Sequence, residues 1–397
     1  MHFENWISYR YLISGKGRFL TFLNFVSISG VAVGVMALIV VTAVMTGFGN
    51  NLRDKIIGTT PHIMIEKETG IKDFDEIRAQ VNSLEGINYS SAYVQGNVFL
   101  ETTSQTLGVV LRGIRPEAED QITNVKKYLK EGKITDLTGE GVMIGSELAR
   151  YFGYSLGDDI VVISPGSGVA GESWRYRLKV KGIFTTGMAD YDMSLMLVDL
   201  QKAQQIFNYE SNIATGIGIR LEDAYDAKEV KAQIYKTIGY SFVVRTWIDI
   251  NQNLFEALFL EKWGLFLILV LMVLVASFNI ISTLIVTVTS KVHDIGILQA
   301  IGVPKKSIKR IFTRQGVLIG IMGTSLGLLL GVGICYILKT YVKVPEDIYS
   351  IDHVPVELVL FDICAIVTAA LVITFFATIY PSSQAAKLQP VDALRYE

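Results

Sequence analysis

Apolar positions gather into four unbroken blocks, Phe22–Phe48, Leu265–Thr289, Gly316–Leu338 and Leu358–Tyr380. None contains Lys or Arg, and the one acid, Asp362, stands in the first turns of the fourth block. A helix needs about 20 residues to cross a hydrocarbon core, so each block predicts a membrane-spanning helix. Between the first and second blocks the pattern shortens to strand-like runs, at 62–66, 97–103, 106–114, 158–164, 175–184, 216–221 and 241–247. They are rich in Val, Ile, Phe and Tyr and are bounded by turn residues. Helical patches at 74–84, 146–153, 200–208 and 227–239 lie among them. The expected fold is an integral membrane α-helical protein with four transmembrane helices and one large α+β extracytoplasmic domain.

The segments follow in order. Residues 1–21 form an amphipathic helix at the cytoplasmic face, with Phe3, Trp6, Ile7 and Tyr11 at helical spacing and Arg10, Lys16 and Arg18 nearby. The first span is 22–48, the α+β domain 49–262 and the second span 263–290. A loop at 291–314 precedes the third span, 315–338. A short outer loop at 339–357, the fourth span at 358–380 and a tail at 381–397 complete the chain.

Composition supports a membrane class: half of the residues are hydrophobic, only 19% are charged, and the mean hydropathy is +0.40. The net charge of −2 hides an asymmetry. Residues 1–21, 291–314 and 381–397 together hold 11 basic and 4 acidic side chains, whereas 49–262 holds 23 basic and 29 acidic. Short loops rich in Lys and Arg stay in the cytoplasm, so both termini and the 291–314 loop are expected inside. The first block is about twice the length of a signal-peptide core and no small-x-small site closes it, so it reads as a retained span. Cys335 and Cys364 fall inside the third and fourth blocks, which suggests buried apolar roles rather than a disulfide framework or metal site.

Candidate chemistry is sparse. Gly15-Lys16-Gly17 lacks the rest of a nucleotide-binding loop, the four His residues are scattered, and no catalytic or metal-binding spacing is found. The candidate features are therefore mechanical. Gly30 and Gly34 in the first span are four apart, as are Gly316 and Gly320 and then Gly323, Gly327 and Gly331 in the third; this spacing lets helix backbones approach closely. Asn279, Ser282 and Thr283 put hydroxyl and amide groups in the middle of the second span, to bond between helices or to line a substrate path. In the 291–314 loop, Ile297, Leu298 and Ile301 give a short helix an apolar face, Gly302 ends it, and Pro304 blocks continuation and starts the next helix. Lys305, Lys306, Lys309 and Arg310 are expected to meet anionic lipid head groups. The stretch 164–173, with one Pro, three Gly and three Ser between two strong strands, reads as an exposed hairpin loop, either a connector or a docking finger.

This order of elements resembles the FtsX/MacB-type permeases of ABC transporters, and within them the LolC/LolE/LolF branch of lipoprotein-releasing permeases. The likeness is carried by "MTGFGNNLRDKIIGTTPHI" (45–63), "VLRGIRPE" (110–117), "IGSELARYFGYSLGDDIVVISP" (144–165), "GIFTTGMADYDMSLMLVDLQKAQQIF" (182–207), "ASFNIISTL" (276–284), "HDIGILQAIGVPKKSIKRIF" (293–312) and "YPSSQAAKLQPVDALRYE" (380–397). It implies a MacB-like periplasmic core for 49–262 and location in the bacterial inner membrane. It implies that the chain is no enzyme: it holds no cofactor or metal, and ATP and Mg are used by a separate LolD-like ATPase dimer. That ATPase would be met through Asp294, Gly296, Ile297, Gln299, Ala300 and Gly302, with Asp294 standing where the family usually has Glu. The implied partners are a second permease, the same or paralogous, a lipoprotein substrate, membrane lipid and a LolA-like periplasmic carrier. Pro165, Gly166, Ser167, Gly168 and Val169 match in position the loop by which LolC-like subunits capture that carrier, although their residues are not a close match. Met45, Phe48 and Asn279 are the candidates for the acyl-chain cavity. A MacB-like efflux permease and an FtsX-like regulator of cell-wall hydrolases share parts of the pattern; the first usually carries its ATPase on the same chain, and the second has a smaller outer domain.

Overall fold

The structure, a computed structural model, describes residues 3–13, 18–102, 106–164, 174–342 and 353–387. The candidate carrier loop Pro165–Val169 therefore lies outside the described residues. The chain divides into a helical unit and an α+β unit that takes Asn50–Ala257.

Ten strands build the α+β unit: β1 (Ile63–Lys72), β2 (Ile87–Glu101), β3 (Thr106–Ile114), β4 (Leu129–Gly132), β5 (Gly141–Gly145), β6 (Asp159–Ser164), β7 (Trp174–Phe184), β8 (Leu195–Asp199), β9 (Ile213–Leu221) and β10 (Val243–Thr246). β2 is long enough to serve two sheets. Its first half pairs with β9 in an antiparallel sheet of order β10-β1-β9-β2, and its second half pairs with β3 and β6. From there the pairings β3–β8, β8–β5, β5–β7 and β7–β6 return to β2, which closes a six-stranded barrel. In the open sheet, β1–helix–β2 and β9–helix–β10 interlock as two split βαβ units, with helices Phe74–Asn82 and Ala227–Ile238 as the crossovers.

Side-chain period explains the strands. In β7, Leu178 and Val180 are buried while Arg177, Lys179 and Lys181 are exposed. The pattern fails to announce β5 and β8, which carry buried runs with no alternation and pair in parallel with β7 and β3. Asp192, inside one of the family-like stretches, is fully buried; it accepts from Thr186 N and Thr186 Oγ1 at 2.8 Å and from Gly187 N at 3.2 Å, fixing the turn after β7.

His62 precedes β1 and is buried, its Nδ1 accepting from Leu221 N at 3.2 Å. Burial, with the Arg220 guanidinium nearby, pushes its pKa from 6.5 down to about 4. The unfolded chain then binds a proton that the folded one refuses, so this stabilisation is complete above pH 6.5 and is lost as pH falls toward about 4. Hydrogen exchange at β1 and β9, corrected for intrinsic rate, is expected to show protection falling over that window and a flatter profile in His62→Gln. An equal slope in both proteins would sink the assignment.

Among the described residues of the helical unit, four helices are long and apolar enough to cross a membrane: the first span Arg18–Thr59, the second Gln252–Ser290, the third Lys305–Tyr341 and the fourth Leu360–Lys387. They outrun the apolar blocks. The first continues through Arg53, Asp54 and Lys55, and the second begins before Glu256, Glu261 and Lys262. Arg, Lys and Glu are good helix formers, and hydropathy marks where hydrocarbon ends rather than where helix ends.

The third span has two glycine faces. A Cβ on Gly316 or Gly320 would strike Thr378 or Thr374 of the fourth span, and one on Gly323, Gly327 or Gly331 would strike Val31, the Ala32 carbonyl or Ile39 of the first. Gly30 abuts the Asn279 amide of the second span. Gly34 departs from the expectation of close packing: nothing lies within 4 Å of its Cβ position, because GxxxG spacing selects a face but not the partner that covers it. The first and second spans also share a hydroxyl pair, Ser27 Oγ and Thr283 Oγ1, 2.5 Å apart.

Candidate functional site

The loop between the second and third spans folds as a short helix, Val292–Ala300, with both ends fixed. Asp294 sits in its first turn, where a carboxylate opposes the positive end of the helix dipole, and Lys291 Nζ meets it at 3.0 Å. At the far end Gly302 takes φ 92°, Gly302 N donates to Gln299 O and Val303 N donates to Leu298 O, each at 3.0 Å. This paired closure needs a left-handed residue, which glycine supplies without a Cβ penalty. Pro304 then accepts from Ser307 N at 2.9 Å and opens the third span.

One side of this helix is docked and the other is bare. Ile295 is 0% exposed among Val288, Ile308, Phe312 and Ala385, so it joins the second, third and fourth spans. Ile297 and Ile301 remain 44% and 71% exposed, with Ala300 exposed beside them. The expected apolar face is thus divided: Ile295 does the docking, and Ile297 and Ile301 point away. Gly296 is buried beside Ile295 on the docked side. Gln299 is half-buried with Nε2 turned inward, and no described group accepts from it. Asp294 is half-buried, and Gly302 is exposed.

Helix Phe3–Ile13 completes the site. Its apolar Phe3 and Trp6 are exposed, while Glu4 and Ser8 are buried against the third span. The polar face therefore docks, the reverse of a helix that merely lies on a surface. Tyr11 rests on Phe312 with ring centroids 6.2 Å apart, and Lys291 Nζ stands 5.1 Å from the Tyr11 centroid. Burial and the Asp294 carboxylate push the Tyr11 hydroxyl up to about 12, so it remains a neutral phenol. Arg310 is not left for lipid alone, because Glu4 holds it together with Arg314. These contacts join residues about 300 positions apart; an acid at Glu4 among aromatic residues was the sole sequence signal.

Met45, Phe48 and Asn279 are not brought together. Asn279 lies against Gly30, and 15 residues of helix separate Gly30 from Met45, roughly 22 Å of rise. Met45 and Phe48 are half-buried, and Asn279 is exposed. A shallow cleft elsewhere in the unit is lined by Ile39, Thr42 and Ala43 and by Glu357, Asp362 and Ile366. Ser164 of β6 pairs with Trp174 of β7, the last described residues on either side of 165–173.

The chain matches the MacB-like periplasmic core domain over residues 24–237 and the FtsX-like permease C-terminal domain over 266–390. It is 34% identical to the lipoprotein-releasing system transmembrane protein LolC of Neisseria meningitidis, across 99% of both chains. It is 30% identical to the LolC of Xylella fastidiosa, across 98% of both, and 28% identical to the LolE of Haemophilus influenzae, across 92% of both. Four membrane-crossing helices, an α+β unit between the first two and a likeness that runs the length of the chain lead to one conclusion: this protein belongs to the LolC/LolE family of lipoprotein-releasing system transmembrane proteins, within the FtsX/MacB permease superfamily.

Proposed function

We propose that this chain is the permease subunit of an ABC transporter that lifts lipoproteins from the outer leaflet of the bacterial inner membrane and passes them to a LolA-like periplasmic carrier. Two permeases, the same or paralogous, enclose the acyl chains, and a LolD-like ATPase dimer on the cytoplasmic side hydrolyses ATP with Mg. The charge asymmetry supports both termini and the loop helix inside, with the α+β unit outside. Extraction is costly: at about 0.8 kcal/mol per CH₂, one chain of about 14 carbons needs roughly 11 kcal/mol. That scale calls for nucleotide energy rather than thermal release. Carrier docking is assigned to Pro165–Val169.

The observation that carries this reading is the divided loop helix, rooted by Ile295 and presenting Ile297, Ala300 and Ile301 to a partner. Seating of these side chains in an ATPase groove moves a body tied to three spans. Burying an Ile side chain is worth about 1.5–3 kcal/mol, so Ile297→Asp is expected to weaken ATPase association by at least about tenfold. Co-purification of the ATPase and transfer of lipoprotein to carrier are the measurements. If both persist unchanged in Ile297→Asp, the loop helix is not the coupling surface.

A further inference from the structure

The N-terminal helix carries more matched chemistry than membrane anchoring requires. Phe3 and Trp6, both exposed, would suffice for an anchor, with Arg10 stacked 4.9 Å from the Trp6 centroid. Yet Glu4, Ser8 and Tyr11, at i, i+4 and i+7, form a second face that fits the third span turn for turn. The Glu4 side chain is only 6% exposed; Oε2 meets Arg314 Nη1 at 2.8 Å and Oε1 meets Arg310 Nη1 at 3.5 Å. Ser8 Oγ lies 2.9 Å from the Ile311 carbonyl and 2.7 Å from that of Glu4, so its one proton is shared. Tyr11 then reaches past Phe312 to Lys291, the residue that opens the loop helix and holds Asp294 in its first turn. Burying a carboxylate is costly unless it is paired, so this docking has a defined register rather than a greasy slide.

We propose that the N-terminal helix braces the loop helix: Glu4 clamps it to the third span, and Tyr11 is a positioning residue that sets Lys291 and Asp294. Displacement of the loop helix by the ATPase is thereby delivered to the N-terminal helix as well as to the second and third spans. The proposal rests on the coupling role given to the loop helix above.

The test uses the assembled complex of both permeases and the ATPase in proteoliposomes, reading lipoprotein transferred per ATP hydrolysed. Tyr11→Ala and Glu4→Lys are expected to lower that ratio at least about fivefold, the lower end of typical coupling between sites, while the ATPase remains bound and active. Tyr11→Phe keeps the ring and is expected to match the parent, and Glu4→Lys with Arg314→Glu is expected to recover at least half of the ratio. A structural prop alone would lower complex yield without changing the ratio in what assembles. An unchanged ratio in Tyr11→Ala overturns the brace, as does a Glu4→Lys defect that the exchanged pair fails to relieve. Ile297→Asp in the same assay separates the two ideas: loss of the ATPase there, with a neutral Tyr11→Ala, removes the brace and leaves the coupling surface standing.

Discussion

Trp247→Ala is expected to cost the α+β unit about 3–5 kcal/mol, the range for emptying a core site of an aromatic ring. Trp247 is 1% exposed, its Nε1 donates to Ala224 O at 2.8 Å, and its ring meets Phe255 edge-on at 5.3 Å and Tyr225 at 6.0 Å. Truncation leaves a cavity and strips the Ala224 carbonyl of its buried donor, and the second loss adds to the first. The residue also stands where β10 turns into the short helix Trp247–Ile250, held by reciprocal bonds between Thr246 and Asp249. Against a typical total of about 5–15 kcal/mol for a domain, the loss is a large fraction. Hydrogen exchange across β9, β10 and the 227–238 helix is expected to quicken at least about a hundredfold. Trp263→Ala removes a ring that is 57% exposed and serves as the control. Comparable exchange in the two variants would show that the indole does not anchor this corner.

Gly327→Leu is the second large effect. A Cβ there would lie 2.6 Å from the Ala32 carbonyl oxygen and 2.8 Å from the Val35 Cβ, and the first of these is backbone that cannot swing aside. Helices in lipid associate through close packing rather than through exclusion of water, so forcing these two apart removes the main attraction between them. The cost of overpacking, about 1–3 kcal/mol or more, is expected to lower the thermal midpoint of the solubilised chain by about 5 °C or more and to reduce its level in the membrane. Gly34→Leu, with open space at its Cβ, is expected to leave the midpoint of the isolated chain unchanged. Equal midpoints for Gly327→Leu and the parent would mean that the first and third spans do not meet at these glycines.

Legibility in the sequence followed the range of the interaction. The end of the loop helix was readable because Gly302 and Pro304 act within their own turn, and the φ of 92° at Gly302 is local chemistry. Strand β3 was readable to the residue from Thr106 to Ile114, since its apolar run has turn signals on both sides. By contrast β5 is five buried residues between two strands that pair with it from distant parts of the chain, and no period marks it. The two roles of β2 were hidden for the same reason: its first half, Ile87 to Tyr93, becomes strand only because β9 lies beside it. At the candidate site, the apolar residues Ile297 and Ile301 were visible but their direction was not, because Ile295 is equally apolar and only packing decides which one is buried. Glu4 pairing with Arg314 is a contact made by the folded bundle, and local pattern hints at it only through an acid set among aromatic residues.

The second span differs from its neighbours in how little of it the chain covers. Ile280, Thr283, Leu284, Thr287 and Val288 are buried, but the described side chains from Lys262 to Leu274 are exposed, save a few that are half-exposed. The foot of this helix is therefore gripped while its other half is left bare by the rest of the chain. Pivoting by about 10° at Ile280 would swing a point 19 residues away by roughly 5 Å, with Leu254 and Phe255 at the helix start as its far anchor. Of the four long helices among the described residues it is the one the chain itself covers least, so a sideways opening of this bundle would break the fewest intramolecular contacts along that helix.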